Sequence, residues 1–408
     1  MNYQRNKAFG GSINADIVQK LAADLWRAVE KAVFKGTEIH YRKKGDTNCL
    51  EAKKSNTGII FYKDKDMVKF GGKFFALKPV RAKDKYMQEA MTHNVRFCKI
   101  VRKPFKSGYR YFLQILMDGN APDKIKIGKG ICGLDKGVST LSYYNDTNAD
   151  FVELAPKVDK YDKMIRKAAQ KYERRMRLNN PDCYNEDGTL KKDAKFTVYS
   201  KGSKKSLMEL KHMYRLKSEY IRQSNNHVNN VILSECGMIV EEPMNYQALA
   251  KRTKGEAERS DKESIVTNKK GETKKIHKFK KKKRFQKSIL RHAPGYCSKD
   301  LHRKAERYGV PILLVNSFEY KASQYDHLTR TPTKTDLRTR TKMVGKKRVQ
   351  RDLYSSYLLY NFKDINSIDF DKCKSKFRTF LKRQDQVIKR IQKTGDKTRN
   401  FGLSQFTA

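Results

Sequence analysis

The second half of the chain alternates between short apolar runs and longer segments with helical spacing. The stretch ICGLDKGVSTLSYYND, residues 131–146, holds two apolar runs joined at a glycine-flanked turn. Two segments of helical periodicity follow, at residues 158–178 and 206–235, and then the apolar run GMIVEEP at 237–243. A further helical segment precedes the apolar run VPILLVNSF at 310–318. This order predicts an α/β fold with a mixed or parallel sheet flanked by helices.

The first third of the chain has a different pattern. Residues 13–34 carry apolar positions at helical spacing, with Asn14 as a candidate cap and Gly36 just past the end. Short alternating segments then follow as far as residue 128, with hairpin signals at Gly71-Gly72 and within residues 96–117. They predict an antiparallel sheet or barrel. Because basic residues alternate with aromatic ones, the barrel either faces nucleic acid or has a solvated basic face.

Charge constrains the partner of the chain. The 408 residues include 91 Lys+Arg and 44 Asp+Glu, a formal net charge of +47, which a polyanion would neutralise. Nucleic acid fits better than a membrane, because no run approaches the ~20 apolar residues that cross a bilayer and no secretory signal is visible. A merely solvated basic surface is the simpler alternative. The seven scattered cysteines form no CxxC pair, which argues against a zinc ribbon or disulfide framework and predicts a reducing, cytoplasmic setting.

Three acidic positions lie where predicted elements begin or end. Asp135 closes an apolar strand, the pair Glu241 and Glu242 closes another, and Asp352 begins a helix. Carboxylates at a sheet edge can bind Mg²⁺, which takes oxygen ligands and leaves room for phosphate oxygens and water. Each acid alone has a simpler interpretation. Asp135 can be a turn aspartate, Glu241 and Glu242 a solvated pair, and Asp352 a helix N-cap. Their joint occurrence in this order favours a metal site.

The same residues carry a resemblance to a known family. The motif G-x-D-x-G is matched by GLDKG at residues 133–137, and E-D-L-N after an apolar strand is matched by Glu242 and Asn245. The motif R-D-x-N-A-A at a helix start is matched by Arg351 and Asp352 but not beyond them. In these motifs the chain resembles the RuvC-type nuclease core of TnpB, the RNA-guided nuclease of insertion sequences, and of the related compact type V CRISPR effectors.

The resemblance extends from about Asn14 to about Phe362 and implies a domain order. A remnant of a helical recognition lobe is expected at 1–36, followed by a β-barrel wedge-like domain at 37–128. An RNase H-like (RuvC) nuclease domain with helical insertions is expected at 129–362, and a basic C-terminal helix and tail at 363–408. A basic mobile insertion is expected near 251–288. Because the loop at 321–350 lacks the four cysteines of the family's zinc ribbon, no zinc is predicted.

The resemblance also implies a reaction and its partners. Asp135, Glu242 and Asp352 would bind two Mg²⁺ ions, with Mn²⁺ as a substitute; one ion activates the attacking water and the other stabilises the departing 3′ oxygen. A guide RNA from the transposon end and a target DNA are the implied partners, with no membrane. A monomer in the cytoplasm of a prokaryote, associated with the nucleoid, is expected.

Other functions remain open. The short N-terminal region is compatible with a nuclease-inactive or reduced RNA-guided DNA-binding protein, a repressor or remnant, although the presence of all three acids favours an enzyme. A guide-free junction or flap nuclease is less favoured, because it gives the predicted barrel no function. A recombinase is also disfavoured, because the sequence offers no candidate nucleophile. Within the acidic pair, the E-x-x-N spacing selects Glu242. Since adjacent strand residues face opposite sides, Glu241 is predicted to be a solvated or salt-bridged neighbour.

Overall fold

The chain forms two compact units in the computed structural model. One comprises Met1–Lys124 and Met164–Arg215, and the other comprises Ile125–Lys163 and Leu216–Ala408. The structure describes residues 13–41, 45–250, 259–267, 273–279, 283–316, 321–333, 339–394 and 401–406.

The first unit begins with the predicted helix, α1 (Ala15–Lys35). The Asn14 side chain accepts a hydrogen bond from the Asp16 backbone N–H at 2.9 Å, and Gly36 ends the helix in the left-handed conformation at φ 58°. Both terminal signals are therefore confirmed. Only Gly tolerates that backbone conformation without cost, which is why the helix stops there.

Six strands follow in this unit and pair as two three-stranded antiparallel sheets. One sheet has the order β1-β5-β6 and the other the order β2-β3-β4, so both predicted hairpins, β3–β4 and β5–β6, are confirmed. The antiparallel pairing is as predicted, but a barrel is not confirmed, since the strands form two separate sheets. The elements are β1 (Cys49–Glu51), β2 (Ile59–Tyr62), β3 (Met67–Phe70), β4 (Lys73–Ala76), α2 (Lys85–Ala90), β5 (Val95–Phe105) and β6 (Gly108–Met117).

Longer helices occur in the rest of the chain. The helices α3 and α4 each contribute residues to both units, and both are slightly longer than their periodicity predicts. In order the helices are α3 (Val158–Asn179), α4 (Lys201–Glu235), α5 (Tyr246–Ala250), α6 (Lys283–His292), α7 (Pro294–Tyr308), α8 (Arg351–Tyr360) and α9 (Phe370–Lys393). Among the described helices, none is long and apolar enough to cross a membrane.

The second unit is built on a five-stranded mixed sheet of order β13-β10-β7-β8-β9. β10 runs parallel to both β7 and β13, whereas β7, β8 and β9 form an antiparallel meander. A mixed α/β architecture is thus confirmed. The remaining strands are β7 (Ile131–Lys136), β8 (Thr140–Asn145), β9 (Ala149–Glu153), β10 (Met238–Glu241), β11 (Arg259–Thr267), β12 (Thr273–Phe279), β13 (Ile312–Leu314), β14 (Tyr325–Asp326), β15 (Thr331–Pro332), β16 (Thr341–Val344), β17 (Lys347–Gln350), β18 (Phe362–Asp364) and β19 (Ser367–Ile368).

Both faces of this sheet are covered by helices. Alternate residues of β7, Cys132 and Leu134, join the core that contains α4 and α7 side chains. Tyr144 and Val240 join the other core, which α8 and α9 supply. Because successive strand residues point to opposite faces, Gly133 and Asp135 lie on the side of α8. The sheet therefore sorts its polar residues between two helical layers.

Two predicted irregular regions contain strands where the structure describes them. In the predicted mobile insertion near 251–288, residues 251–258, 268–272 and 280–282 lie outside the described residues, but β11 and β12 pair as an antiparallel hairpin and α6 follows. The predicted loop at 321–350 includes the strand pairs β14–β15 and β16–β17. These strands were not predicted, because their lysine-rich and threonine-rich sequences lack the continuous apolar face that indicates a strand.

Gly133 lies very close to the backbone of α8. A Cβ at this position would lie 2.1 Å from the Ser356 carbonyl oxygen and 2.3 Å from the Tyr360 backbone nitrogen. Both are backbone atoms of a helix whose side chains are almost all buried, so neither can move aside. The absence of a side chain at Gly133 is what lets α8 rest directly on β7.

Gly133→Ala is expected to destabilise the protein by about 3 kcal/mol, because overpacking against backbone forces the helix away from the sheet. Chemical denaturation measures the loss. Gly295→Ala is the matched control: the nearest atom to its Cβ would be in the Tyr246 side chain, at an ordinary contact distance of 3.5 Å, and it lies in the first turn of α7, where Ala is tolerated. Equal stability of the two variants would contradict the close packing at Gly133.

Candidate functional site

The three predicted acids sit on adjacent elements of the second unit. Asp135 is the next-to-last residue of β7, Glu242 directly follows β10, and Asp352 lies in the first turn of α8. Since β7 and β10 are parallel neighbours, their carboxyl ends meet at one edge of the sheet. Asp352 is not the helix cap, because the Gln350 side chain accepts the hydrogen bond from the Leu353 backbone N–H at 2.7 Å. Its carboxylate is thereby left for other contacts.

Asp135 is the electrostatic centre of this group. Its pKa is raised well above the usual value, first by desolvation and then by the charges of Asp352 and Glu242, which outweigh the opposing effects of Ser355 and Arg351. Ser355 Oγ is near enough to lower this pKa but makes no hydrogen bond of good geometry within the described residues. Asp135 is partly desolvated and has two negatively charged neighbours. A bound cation would reduce the repulsion among these three carboxylates.

Glu242 is held at the strand end by one backbone contact. Its Oε1 accepts a hydrogen bond from the Ala322 backbone N–H at 2.8 Å. Burial raises the pKa of Glu242, while this hydrogen bond and the charges of Lys136 and Lys321 act in the opposite direction. The side chain is thus fixed beside Asp135 by a segment that is distant in sequence.

Glu241 points into the other layer of the protein. It is 0% exposed and its Oε1 contacts Lys136 Nζ at 2.5 Å and His302 Nε2 at 2.7 Å. Burial alone would raise its pKa, but the His302 hydrogen bond and the Lys136 charge lower it overall. Of the two predicted alternatives, a solvated or a salt-bridged side chain, the salt bridge is confirmed, because α7 covers β10 on this face. Glu241 is therefore a buried structural acid.

Asp352 is engaged by arginines. Arg340 Nη1 lies 3.0 Å from its Oδ2 and Arg351 Nη2 lies 3.2 Å from its Oδ1. The Asp352 carbonyl oxygen accepts a hydrogen bond from Ser142 Oγ at 2.7 Å, and Ser142 is the partner of Asp135 in the β7–β8 ladder. The backbone of Asp352 is thus tied directly to the strand pair that carries Asp135.

Several residues that support Asp352 were not predicted from the sequence. The Gln350 backbone N–H donates to Gln384 Oε1 at 2.8 Å, and Gln350 Nε2 donates to the Phe401 carbonyl oxygen at 3.2 Å. Gly402 packs so closely on Arg340 that a Cβ there would lie 2.2 Å from the Arg340 Cβ. Part of the predicted C-terminal tail is thus buried against the site. No local pattern could have revealed these long-range contacts.

The three carboxylates are suitable ligands for a hard divalent cation, although their side chains are not arranged as a complete metal site. Oxygen atoms of Asp135, Glu242 and Asp352 are the ligands that Mg²⁺ and Mn²⁺ prefer. Within the described part of the chain, no group of three or more His, Cys, Asp or Glu side chains is arranged to hold a metal ion. The raised pKa of Asp135 fits a cation site, whereas the two arginines occupy the Asp352 carboxylate.

Among known proteins, the chain is similar to solved structures only at low sequence identity. No family model matches the chain, and no curated protein matches it. Similar solved structures include a Cas12f1–sgRNA–target DNA complex, with a TM-score of 0.44 and 10% identity over 86% of this chain and 72% of that one. A CRISPR-Cas12f ternary complex has a TM-score of 0.29 and 10% identity over 88% of this chain and 73% of that one.

The two adjacent glutamates are expected to behave differently. Glu241→Gln should lower the free energy of unfolding by about 3 kcal/mol, because it leaves the buried Lys136 without its anionic partner. Glu242→Gln should leave stability nearly unchanged, since only one backbone hydrogen bond is at stake. Denaturant titrations of both variants measure the difference. A larger loss for Glu242→Gln would show that the two roles are reversed.

Asp135→Asn is expected to raise the melting temperature in metal-free buffer at pH 7. A carboxyl whose pKa is raised on folding costs stability once it is forced to ionise, and the amide removes this cost, by about 2–4 °C for each kcal/mol relieved. The gain should vanish below the ordinary Asp pKa of 3.8, where the carboxyl is protonated in both states.

Calorimetry with added Mn²⁺ completes this test. The ion should raise the melting temperature of the wild type and change that of Asp135→Asn far less, because the amide cannot supply a carboxylate ligand. Equal stabilisation of the two proteins would place the cation elsewhere.

Proposed function

We propose that this protein is a metal-dependent DNA endonuclease of the RuvC-like, TnpB type, guided by RNA. The observation that carries the proposal is the convergence of Asp135, Glu242 and Asp352, three acids from three separate elements, at one edge of a mixed sheet. The charges of the other two raise the Asp135 pKa, so they act on one another in space as well as matching the motifs in sequence.

A pair of Mg²⁺ ions, bound by these three carboxylates, would activate a water for attack on phosphorus and neutralise the departing oxygen. The protein's own residues prepare the position. Ser142 and the α8–Gly133 contact fix the Asp352 backbone, and the Ala322 N–H fixes Glu242. Arg340 and Arg351 hold the Asp352 carboxylate in place.

Nucleic acid partners follow from charge. A net charge of +47 spread over the whole chain suits backbone contacts with a guide RNA and a target DNA, where base pairing reads the sequence. The transposon-end origin of the guide is part of the proposal. A nuclease-inactive RNA-guided DNA-binding protein is the second candidate, and it is favoured by one observation, the two arginines on the Asp352 carboxylate.

The test is to purify the chain from its native host, sequence any RNA that co-purifies, and assay cleavage of DNA matching that RNA with Mg²⁺. We expect cleavage by the wild type and a loss of at least about a thousandfold for Asp135→Ala, the scale of a lost electrostatic catalytic group. Bound RNA with no cleavage by the wild type would favour the DNA-binding alternative, and cleavage that survives Asp135→Ala would remove the acid triad from the mechanism.

A further inference from the structure

The first unit contains a basic cleft that the candidate nuclease site does not use. Its volume is about 660 Å³, and it lies between the turn of the β5–β6 hairpin and the N-terminal half of α4. We call it the hairpin–helix cleft. Its lining includes Phe105, Lys106, Arg110, Lys204, Lys205 and His212.

The two walls of the cleft are fixed to each other. Arg215 of α4 donates from Nε to the Pro104 carbonyl oxygen at 2.8 Å, and its guanidinium lies 4.0 Å from the centre of the Phe105 ring. Arg110 approaches the same ring at 4.5 Å, and His212 stacks on it at 5.7 Å. Phe105 therefore holds cationic groups from both walls in place. Because these side chains are already fixed, they would lose little conformational freedom when a ligand binds.

Positive charge converges in the cleft with little internal compensation. Lys106, Arg110, Lys204 and Lys205 are exposed and come from two different elements. The nearby Glu209 is paired with Lys171 at 2.8 Å. A solvated basic face normally spreads its charges over a convex surface, whereas a concave surface focuses their field and attracts a polyanion.

We propose that the hairpin–helix cleft binds the sugar–phosphate backbone of single-stranded RNA. Lys204 and Lys205 contact phosphates from the helix wall, while Lys106 and Arg110 contact them from the hairpin. The exposed ring of Phe112 on β6, 41% accessible, stacks on Phe105 with 6.1 Å between the ring centres and offers a surface on which a base can stack. The choice of RNA over DNA rests on the proposed function, in which RNA is the strand held by the protein.

The experiment measures RNA affinity of the full chain by fluorescence anisotropy in EDTA, with a fluorescein-labelled single-stranded RNA, over a series of salt concentrations. The double variant Lys204→Gln/Lys205→Gln should bind about tenfold more weakly and reduce the salt slope by about 1.4, two phosphate contacts at ~0.7 each. Lys53→Gln/Lys54→Gln is the matched control: it removes the same charge from an exposed, adjacent lysine pair of the same unit. The control should keep the wild-type slope.

The outcomes separate this proposal from the proposed function. Equal weakening by the two double variants overturns the cleft as an RNA site while leaving RNA binding intact. No RNA binding by the wild type overturns both. A DNA strand of the same sequence that binds more tightly than the RNA, with the same dependence on Lys204 and Lys205, overturns the choice of RNA. Melting temperatures of the variants within error of the wild type show that the charge change, and not unfolding, causes the loss.

Discussion

The direct contact of α8 with Gly133 is the constraint on which the rest of the candidate site depends. It brings the helix backbone down onto the central strand, and Asp135 follows Gly133 on the same face two residues later. Asp352, one turn before Ser356 in the helix, is thereby brought within electrostatic range of Asp135. Ser142 closes the arrangement from the next strand through the Asp352 carbonyl oxygen.

The alternation of side chains in β10 divides two neighbouring acids between two tasks. Glu241 belongs to the layer of α7, where Lys136 and His302 neutralise it. Glu242 leaves the strand on the opposite side and joins Asp135, where burial raises its pKa against the opposing charges of Lys136 and Lys321. Lys136 follows the same rule in β7, since it faces the layer opposite to Asp135. The sheet therefore places a buried, ion-paired acid and a candidate metal-binding acid one residue apart.

Sequence patterns predicted the elements that depend on local signals. The helix at Ala15–Lys35 has its cap and its terminal glycine, and the turn at Gly71-Gly72 joins the predicted strands. The strands in 321–350 were missed, because their side chains lack alternating hydrophobicity. The Asp352 helix was predicted, but its cap was not: Gln350 is an uncommon capping residue, and its own support comes from Gln384 and Phe401, 34 and 51 residues away.

The sequence by itself determined the α/β order and the basic character and selected three acids as candidates, because strand and helix periodicities and motif spacings are local properties. The tertiary structure decided which acid is buried and paired, how close Asp135 comes to its neighbours, and that arginines hold Asp352. It also brought the C-terminal residues Phe401 and Gly402 against the site. These are contacts between distant segments, and their energies depend on burial and distance, which no single stretch of sequence specifies.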